Sequence, residues 1–193
     1  MLGTMRFTVS LLAALTLAFP ATAQTAGPYI PKAVELPGMT GPETAANDTW
    51  RLRGALNVAA LQCQFSPFLR SVVRYNSLIK QHGKEFARAQ ATLLGYFKRT
   101  GAAASGFDRY NTRLYQSYST FDAQIPFCRA ASDAARDALV QPIGKLAVIA
   151  RAEVAAVRGA LTPVDTAMSA MAYGMLGDAV TVLGCLPDRR GRC

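Results

Sequence analysis

Apolar residues recur at steps of three and four along most of this 193-residue chain, and no stretch shows a sustained alternation of apolar and polar residues. Such spacing is typical of helices that bury one face. The most regular stripe predicts a surface that faces the core; it consists of Val58, Leu61, Phe65, Phe68, Val72, Tyr75 and Ile79. Pro67 and Pro142 interrupt the helical pattern, and an interior proline kinks or ends a helix. The sequence therefore predicts an all-α fold, a bundle of four to six helices with proline kinks.

The first 23 residues have the pattern of an export signal. Arg6 precedes an apolar run from residue 7 to residue 19, and the small residues Ala21 and Ala23 then form a signal peptidase site. The apolar run is too short to cross a hydrocarbon core of about 30 Å. We expect cleavage after Ala23 and export of the mature protein to the periplasm or the extracellular space. An uncleaved N-terminal anchor is the alternative.

The rest of the chain divides into two parts by composition. Residues 24–46 are rich in proline and glycine, which predicts a linker or an extended arm. Residues 47–193 carry the helical pattern, and a mature chain of about 170 residues suits one domain. We therefore expect a single helical domain that follows the arm.

The four cysteines predict disulfide bonds. None of them has the spacing of a zinc or haem motif, and an exported protein folds in an oxidising compartment. We expect Cys63 to pair with Cys128, and Cys185 with Cys193. The first bond would close a long loop and stabilise the fold by about 3 to 4 kcal/mol. The alternative for Cys63 is an unpaired, buried thiol.

Positive charge is concentrated in one half of the chain. The sequence has 21 Lys and Arg against 12 Asp and Glu, a formal net charge of +9. Residues 51–113 hold eleven of these cations and only two acids. Because several lie four residues apart, they share helix faces. The predicted basic face consists of Arg70, Arg74, Lys80, Lys84, Arg88, Arg109 and Arg113. The alternative is a solvated face without a partner.

Motifs of the common enzyme classes are missing. His82 is the only histidine, which excludes sites that need two. We expect a surface or capping histidine, because Gly83 beside it is predicted to end a helix. The chain has no phosphate-binding loop that ends in Lys and Ser or Thr, and no G-x-S-x-G nucleophile motif. We therefore predict no catalytic residue, no cofactor and no metal site.

The last apolar segment, residues 166–186, permits two interpretations. It contains a stripe of methionines, Met168, Met171 and Met175, which is more typical of core packing than of a copper site. Asp178 is its only charged residue, so the segment is either a buried helix of the bundle or a membrane span.

These observations support three hypotheses. The leading one is an exported, non-enzymatic helical protein that binds an anionic envelope component, or another envelope protein, through its basic face. A membrane surface fits this chemistry, whereas nucleic acid is disfavoured because the aromatic residues are expected in the core and not among the cations. The second hypothesis is a carrier of a small apolar ligand between kinked helices. The third is an enzyme that uses His82 or dispersed acids.

Overall fold

The computed structural model describes residues 31–162, and this part of the chain contains helices and no strand. The α-helices are α1 (Gly41–Gln62), α2 (Ser71–Arg99), α3 (Ala103–Gln116), α4 (Gln124–Val140) and α5 (Leu146–Gly159), and a 3₁₀ turn covers Pro67–Leu69. The predicted all-α bundle of four to six helices is confirmed. The predictions for the export signal, for Cys185 and Cys193 and for residues 166–186 lie outside the described residues.

Helix α1 begins at Gly41, within the stretch that composition alone assigns to the arm. The Thr40 hydroxyl accepts a hydrogen bond from the Glu43 amide (3.4 Å), and the Glu43 carboxylate accepts one from the Thr40 amide (2.8 Å). This capping box satisfies two amides that the first helical turn leaves without partners. Pro42 is tolerated because it lies in that first turn, where its missing N–H costs nothing. The capping hydrogen bonds therefore allow a helix to begin at Gly41, although the stretch is rich in proline and glycine.

Helix α1 lies at the centre of the bundle and contacts the four other helices. It is antiparallel to α2: the Arg99 guanidinium at the end of α2 pairs with Glu43 at the start of α1, at 2.7 Å. Gly54 permits the close approach of α3, because a Cβ there would lie 3.3 Å from Leu114 Cδ2. Most side chains of α1 are buried, as a central helix requires.

The segment between α1 and α2 differs from the sequence prediction. Helix α1 ends at Gln62, and α2 begins at Ser71 after the 3₁₀ turn and after Arg70, which has a left-handed backbone (φ 49°). The break shifts the phase of the helical pattern, so the middle of the predicted core stripe does not reach the core. Four of its residues are exposed: Leu61, Phe65, Phe68 and Val72. Val58 is buried, and Tyr75 and Ile79 pack against the core.

Helix α2 is continuous from Ser71 to Arg99, so the prediction that Gly83 ends a helix is wrong. A glycine inside a helix costs about 1 kcal/mol relative to alanine. Leu78 precedes Gly83, Phe86 and Leu93 follow it, and all three side chains are buried in the core. Burial of a large apolar side chain contributes about 1.5 to 3 kcal/mol, which exceeds the cost of the glycine.

The predicted disulfide between Cys63 and Cys128 is present, and its Cα atoms are 5.6 Å apart. It joins the residue that caps the end of α1 to the second turn of α4. Both cysteines are buried, and the side-chain amide of Gln124 donates a hydrogen bond to the Gln62 carbonyl beside them (2.9 Å). The end of α1 and the start of α4 are therefore fixed to each other.

Replacement of both cysteines should test this constraint. We expect the Cys63→Ala/Cys128→Ala variant to lose about 3 to 4 kcal/mol of unfolding free energy, because its unfolded chain no longer contains a closed loop of this length. The measurement is equilibrium urea unfolding followed by circular dichroism. The variant is preferable to reductant, because it removes only the Cys63–Cys128 bond and does not touch the other two cysteines. An unfolding midpoint equal to that of the unmodified protein would contradict the prediction.

Candidate functional site

One side of α2 faces solvent and carries cations but no acid. Lys80, Lys84 and Arg88 follow one another at steps of four residues, and all three are exposed. At a rise of 1.5 Å per residue they form a stripe about 12 Å long on one side of the helix. The ion pairs within residues 31–162 do not include any of them. We call these three residues the cationic face.

The single acid of α2 points into the bundle. Glu85 is 7% exposed, and its carboxylate accepts hydrogen bonds from the amides of Gly144 (2.9 Å) and Leu146 (3.0 Å). Leu146 is the first residue of α5, where unpaired amides and the helix dipole favour a negative charge. Gly144 has a left-handed backbone (φ 91°), which glycine adopts without strain. The carboxylate is thus used to anchor α5 and does not neutralise the outer face.

His82 is also buried, so the prediction of a surface histidine is wrong. Its side chain is 0% exposed, with Nδ1 2.5 Å from Glu85 Oε1 and Nε2 3.1 Å from the Ala138 carbonyl oxygen. Each ring nitrogen therefore has a hydrogen-bond partner inside the bundle. The ring joins α2 to the end of α4. Its two nitrogens are occupied within the fold, which leaves neither of them for a substrate.

Burial and hydrogen bonding shift the pKa of Glu85 in opposite directions. Burial opposes ionisation, but the hydrogen bonds from His82 and from the amides of Gly144 and Leu146 outweigh it and lower the pKa of the carboxyl group below its ordinary value. The ionised form is therefore the one that the fold stabilises.

Two other residues of the predicted basic face lie at the start of α2. Arg70 is exposed beside the 3₁₀ turn. Arg74 is half-buried, because its guanidinium donates hydrogen bonds to the carbonyl (2.9 Å) and to the hydroxyl of Ser132 on α4. Arg74 therefore fixes α2 to α4, and Arg70 is the more accessible of the two.

Arg109 and Arg113 are exposed on α3, one turn apart. Helix α3 packs on the C-terminal part of α2, where the rings of Phe97 and Phe107 are 6.0 Å apart. Arg113 lines an open cleft of about 480 Å³ beside the arm. The structure thus distributes the predicted basic face over the middle of α2, the start of α2 and α3.

A second cluster of charges lies in a cleft of about 390 Å³ between the arm, α1 and α5. Its cations already have partners within the fold. Arg151 lies 3.0 Å from the Asp48 carboxylate, Arg51 lies 4.0 Å from Glu35, and Arg158 donates to two backbone carbonyls at 2.6 Å each. These contacts hold the arm against α1 and α5.

Exposed apolar side chains surround the disulfide at one end of the bundle. We call this group the apolar tip; it consists of Leu61, Phe65, Phe68, Val72, Val73 and Ile125. Phe68 is 91% exposed and Phe65 is 56% exposed. The helical periodicity assigned most of these residues to the core. Pro67 was the signal in the sequence that the stripe does not continue through this segment.

The described residues contain neither a cluster of metal-ligating side chains nor a membrane-spanning helix. Between Pro31 and Thr162, no three His, Cys, Asp or Glu side chains are grouped so that they could hold a metal ion. No helix in this range is long and apolar enough to cross a bilayer. The space where α1, α2 and α4 meet is about 10 Å³, which is room for about one water molecule.

Comparison with protein-family models, with curated proteins and with solved structures finds no match to this chain.

The role of Glu85 can be tested by Glu85→Gln. We expect a loss of about 3 kcal/mol of unfolding free energy at neutral pH, because the variant leaves the buried His82 without its carboxylate. Since the folded-state pKa of Glu85 is lowered, its contribution is complete above the unfolded value of about 4.3 and is lost as the pH falls through the folded value. The difference between the two proteins should therefore shrink in acid.

Urea unfolding at a series of pH values measures this difference. Asp133→Asn is a suitable control, because Asp133 is exposed and its replacement should change stability by less than about 0.5 kcal/mol. Equal losses for the two variants at neutral pH would show that the buried carboxylate has no special role.

Proposed function

We propose that this protein is an exported, non-enzymatic helical protein that binds an anionic envelope component, or an acidic surface of another envelope protein, through the cationic face of α2. The observation that carries the proposal is the one-sided charge of this helix. Its exposed side presents Lys80, Lys84 and Arg88, while its single acid, Glu85, is buried. A surface of one sign attracts partners of the opposite sign and raises their rate of association.

Export is supported by two separate features. The first 23 residues have the pattern of an export signal. The Cys63–Cys128 disulfide is of the kind that persists in oxidising compartments such as the periplasm and the extracellular space.

Nucleic acid is the less favoured partner. Binding of single strands combines cations with aromatic side chains on which the bases stack. Between Lys80 and Ala91, the exposed residues of α2 other than the three cations are Ala87 and Ala91. No exposed aromatic ring on which a base could stack lies among these cations.

Two probes test the proposal: vesicles that contain phosphatidylglycerol, and polyglutamate as an acidic polypeptide. We expect the chain from Gln24 onward to bind at least one of them, more tightly at low salt than at high salt. The variant Lys80→Gln/Lys84→Gln/Arg88→Gln should bind vesicles about 100-fold more weakly, because each cation near an anionic membrane contributes about 1 kcal/mol. Co-sedimentation measures vesicle binding, and fluorescence anisotropy measures the peptide.

A control variant separates local charge from net charge. Lys32→Gln/Arg136→Gln/Lys145→Gln removes the same number of positive charges from exposed positions outside α2. Equal weakening by the two triple variants would refute a specific role of α2. Absence of binding to both probes at low salt would refute the proposed function as a whole.

A further inference from the structure

We propose that the apolar tip inserts into the outer part of a lipid bilayer while the cationic face of α2 lies against its anionic head groups. This inference rests on the proposed function and names a lipid membrane as the partner. It is carried by the position of exposed phenylalanines on a rigid segment that adjoins the cations.

The segment that carries the phenylalanines is held firmly. Its start is fixed by the Cys63–Cys128 disulfide, and the Ser71 hydroxyl donates to the Cys63 carbonyl (3.2 Å). Its end is fixed to α4, because the Ser132 hydroxyl donates to the Leu69 carbonyl (3.3 Å). These bonds therefore hold Phe65 and Phe68 in their exposed positions. Little conformational entropy is lost when such a preorganised segment binds.

The shape of the tip suits a bilayer. A phenylalanine with 91% of its surface exposed projects from the protein, so Phe68 does not line a groove that could receive a partner side chain. A rigid protein partner would need a matching apolar cavity. A bilayer accepts a projecting aromatic ring at the boundary between head groups and acyl chains without any preformed cavity.

The charge around the tip also suits an anionic membrane. No Asp or Glu occurs between residues 49 and 84, the stretch that contains the end of α1, the connecting segment and the first half of α2. Arg70 is exposed beside the 3₁₀ turn. Arg129 is exposed one helical turn from Ile125 of the tip, so the two residues share a side of α4. An acyl-inserting tip flanked by Arg70 and Arg129 is complementary to anionic head groups.

Val73 of the tip lies on the same side of α2 as two residues of the cationic face. Seven residues along an α-helix return to nearly the same direction, and so do eleven. Val73 of the tip, Lys80 and Lys84 therefore point to the same side of α2, with about 10 Å along the helix between Val73 and Lys80. A membrane that contacts the lysines on this side also meets Val73 and the residues around it.

A tryptophan reporter at the tip tests insertion in the chain from Gln24 onward. Its only natural tryptophan, Trp50, is buried, so Phe68→Trp adds a signal that responds to the environment of the tip. We expect vesicles that contain phosphatidylglycerol to shift its emission to shorter wavelength, and brominated acyl chains to quench it. Val148→Trp is the matched control: Val148 is 75% exposed on α5, which packs on α1 and α4. Its emission should not change.

Three results of this experiment would refute insertion of the tip. Equal quenching of both reporters would show that the membrane does not distinguish the tip. No quenching of either reporter in protein that binds the vesicles would show attachment by charge alone. A Phe68→Trp emission already at short wavelength without lipid would show that another part of the chain, or a second copy, covers the tip.

A second pair of variants separates this inference from the proposed function. Phe65→Ala/Phe68→Ala should weaken vesicle binding about tenfold or more and leave polyglutamate binding and the unfolding midpoint unchanged, because both rings are exposed. If this variant binds vesicles normally while the triple variant of the cationic face does not, insertion is refuted and the proposed function stands. Binding to polyglutamate but not to vesicles refutes the membrane as partner and again leaves the proposed function. Absence of binding to both refutes the two together.

Discussion

The buried, hydrogen-bonded pair of Glu85 and His82 joins three helices of the described bundle. The carboxylate on α2 accepts the first amide of α5, and the imidazole contacts a carbonyl near the end of α4. Gln81 of α2 adds hydrogen bonds from its side-chain amide to the carbonyls of Leu139 and Gln141 (3.1 and 2.9 Å). The turn between α4 and α5 is therefore specified by three polar side chains of one helix. Burial of these groups is favourable only because each of them has partners.

Burial of Glu85 also leaves the exposed side of α2 without an acid. On a typical amphipathic helix, acids and bases alternate on the exposed side and pair with each other. In α2 the single acid is used inside the bundle, so the cations at Lys80, Lys84 and Arg88 have no acidic neighbour on their own helix. The burial of Glu85 thus has two consequences: its carboxylate anchors α5, and the exposed side of α2 stays cationic.

In the connection between α1 and α2, the disulfide holds apolar residues in exposed positions. Exposed phenylalanines on a mobile loop would collapse onto the protein surface, because burial of an aromatic ring is favourable. The bond between Cys63 and Cys128, together with the hydrogen bonds of Ser71 and Ser132, holds the connection between α1 and α2 so that Phe65 and Phe68 remain outside. The cationic face and the apolar tip, with these fixed positions, are the two components of the surface that we propose binds a membrane.

The sequence by itself determined the helical fold class and indicated disulfide bonds, because periodicity and cysteine number are local or compositional properties. Which cysteine pairs with Cys63 was decided by the tertiary structure, which brings Cys128 to it. The sequence also located the cations of α2, since residues four apart share a face in any α-helix. Only the tertiary structure decided that His82 is buried and that Phe65 and Phe68 are exposed. His82 and Glu85 meet acceptors and donors from α4 and α5, about 60 residues away along the chain, and no local pattern encodes such contacts. Phe65 and Phe68 continue the spacing of α1, but the helix ends at Gln62 and Cys63 is bonded to the distant Cys128. The left-handed backbone of Arg70 then precedes the start of α2. Periodicity predicts which residues share a face of one helix; the packing of other helices decides whether that face is buried.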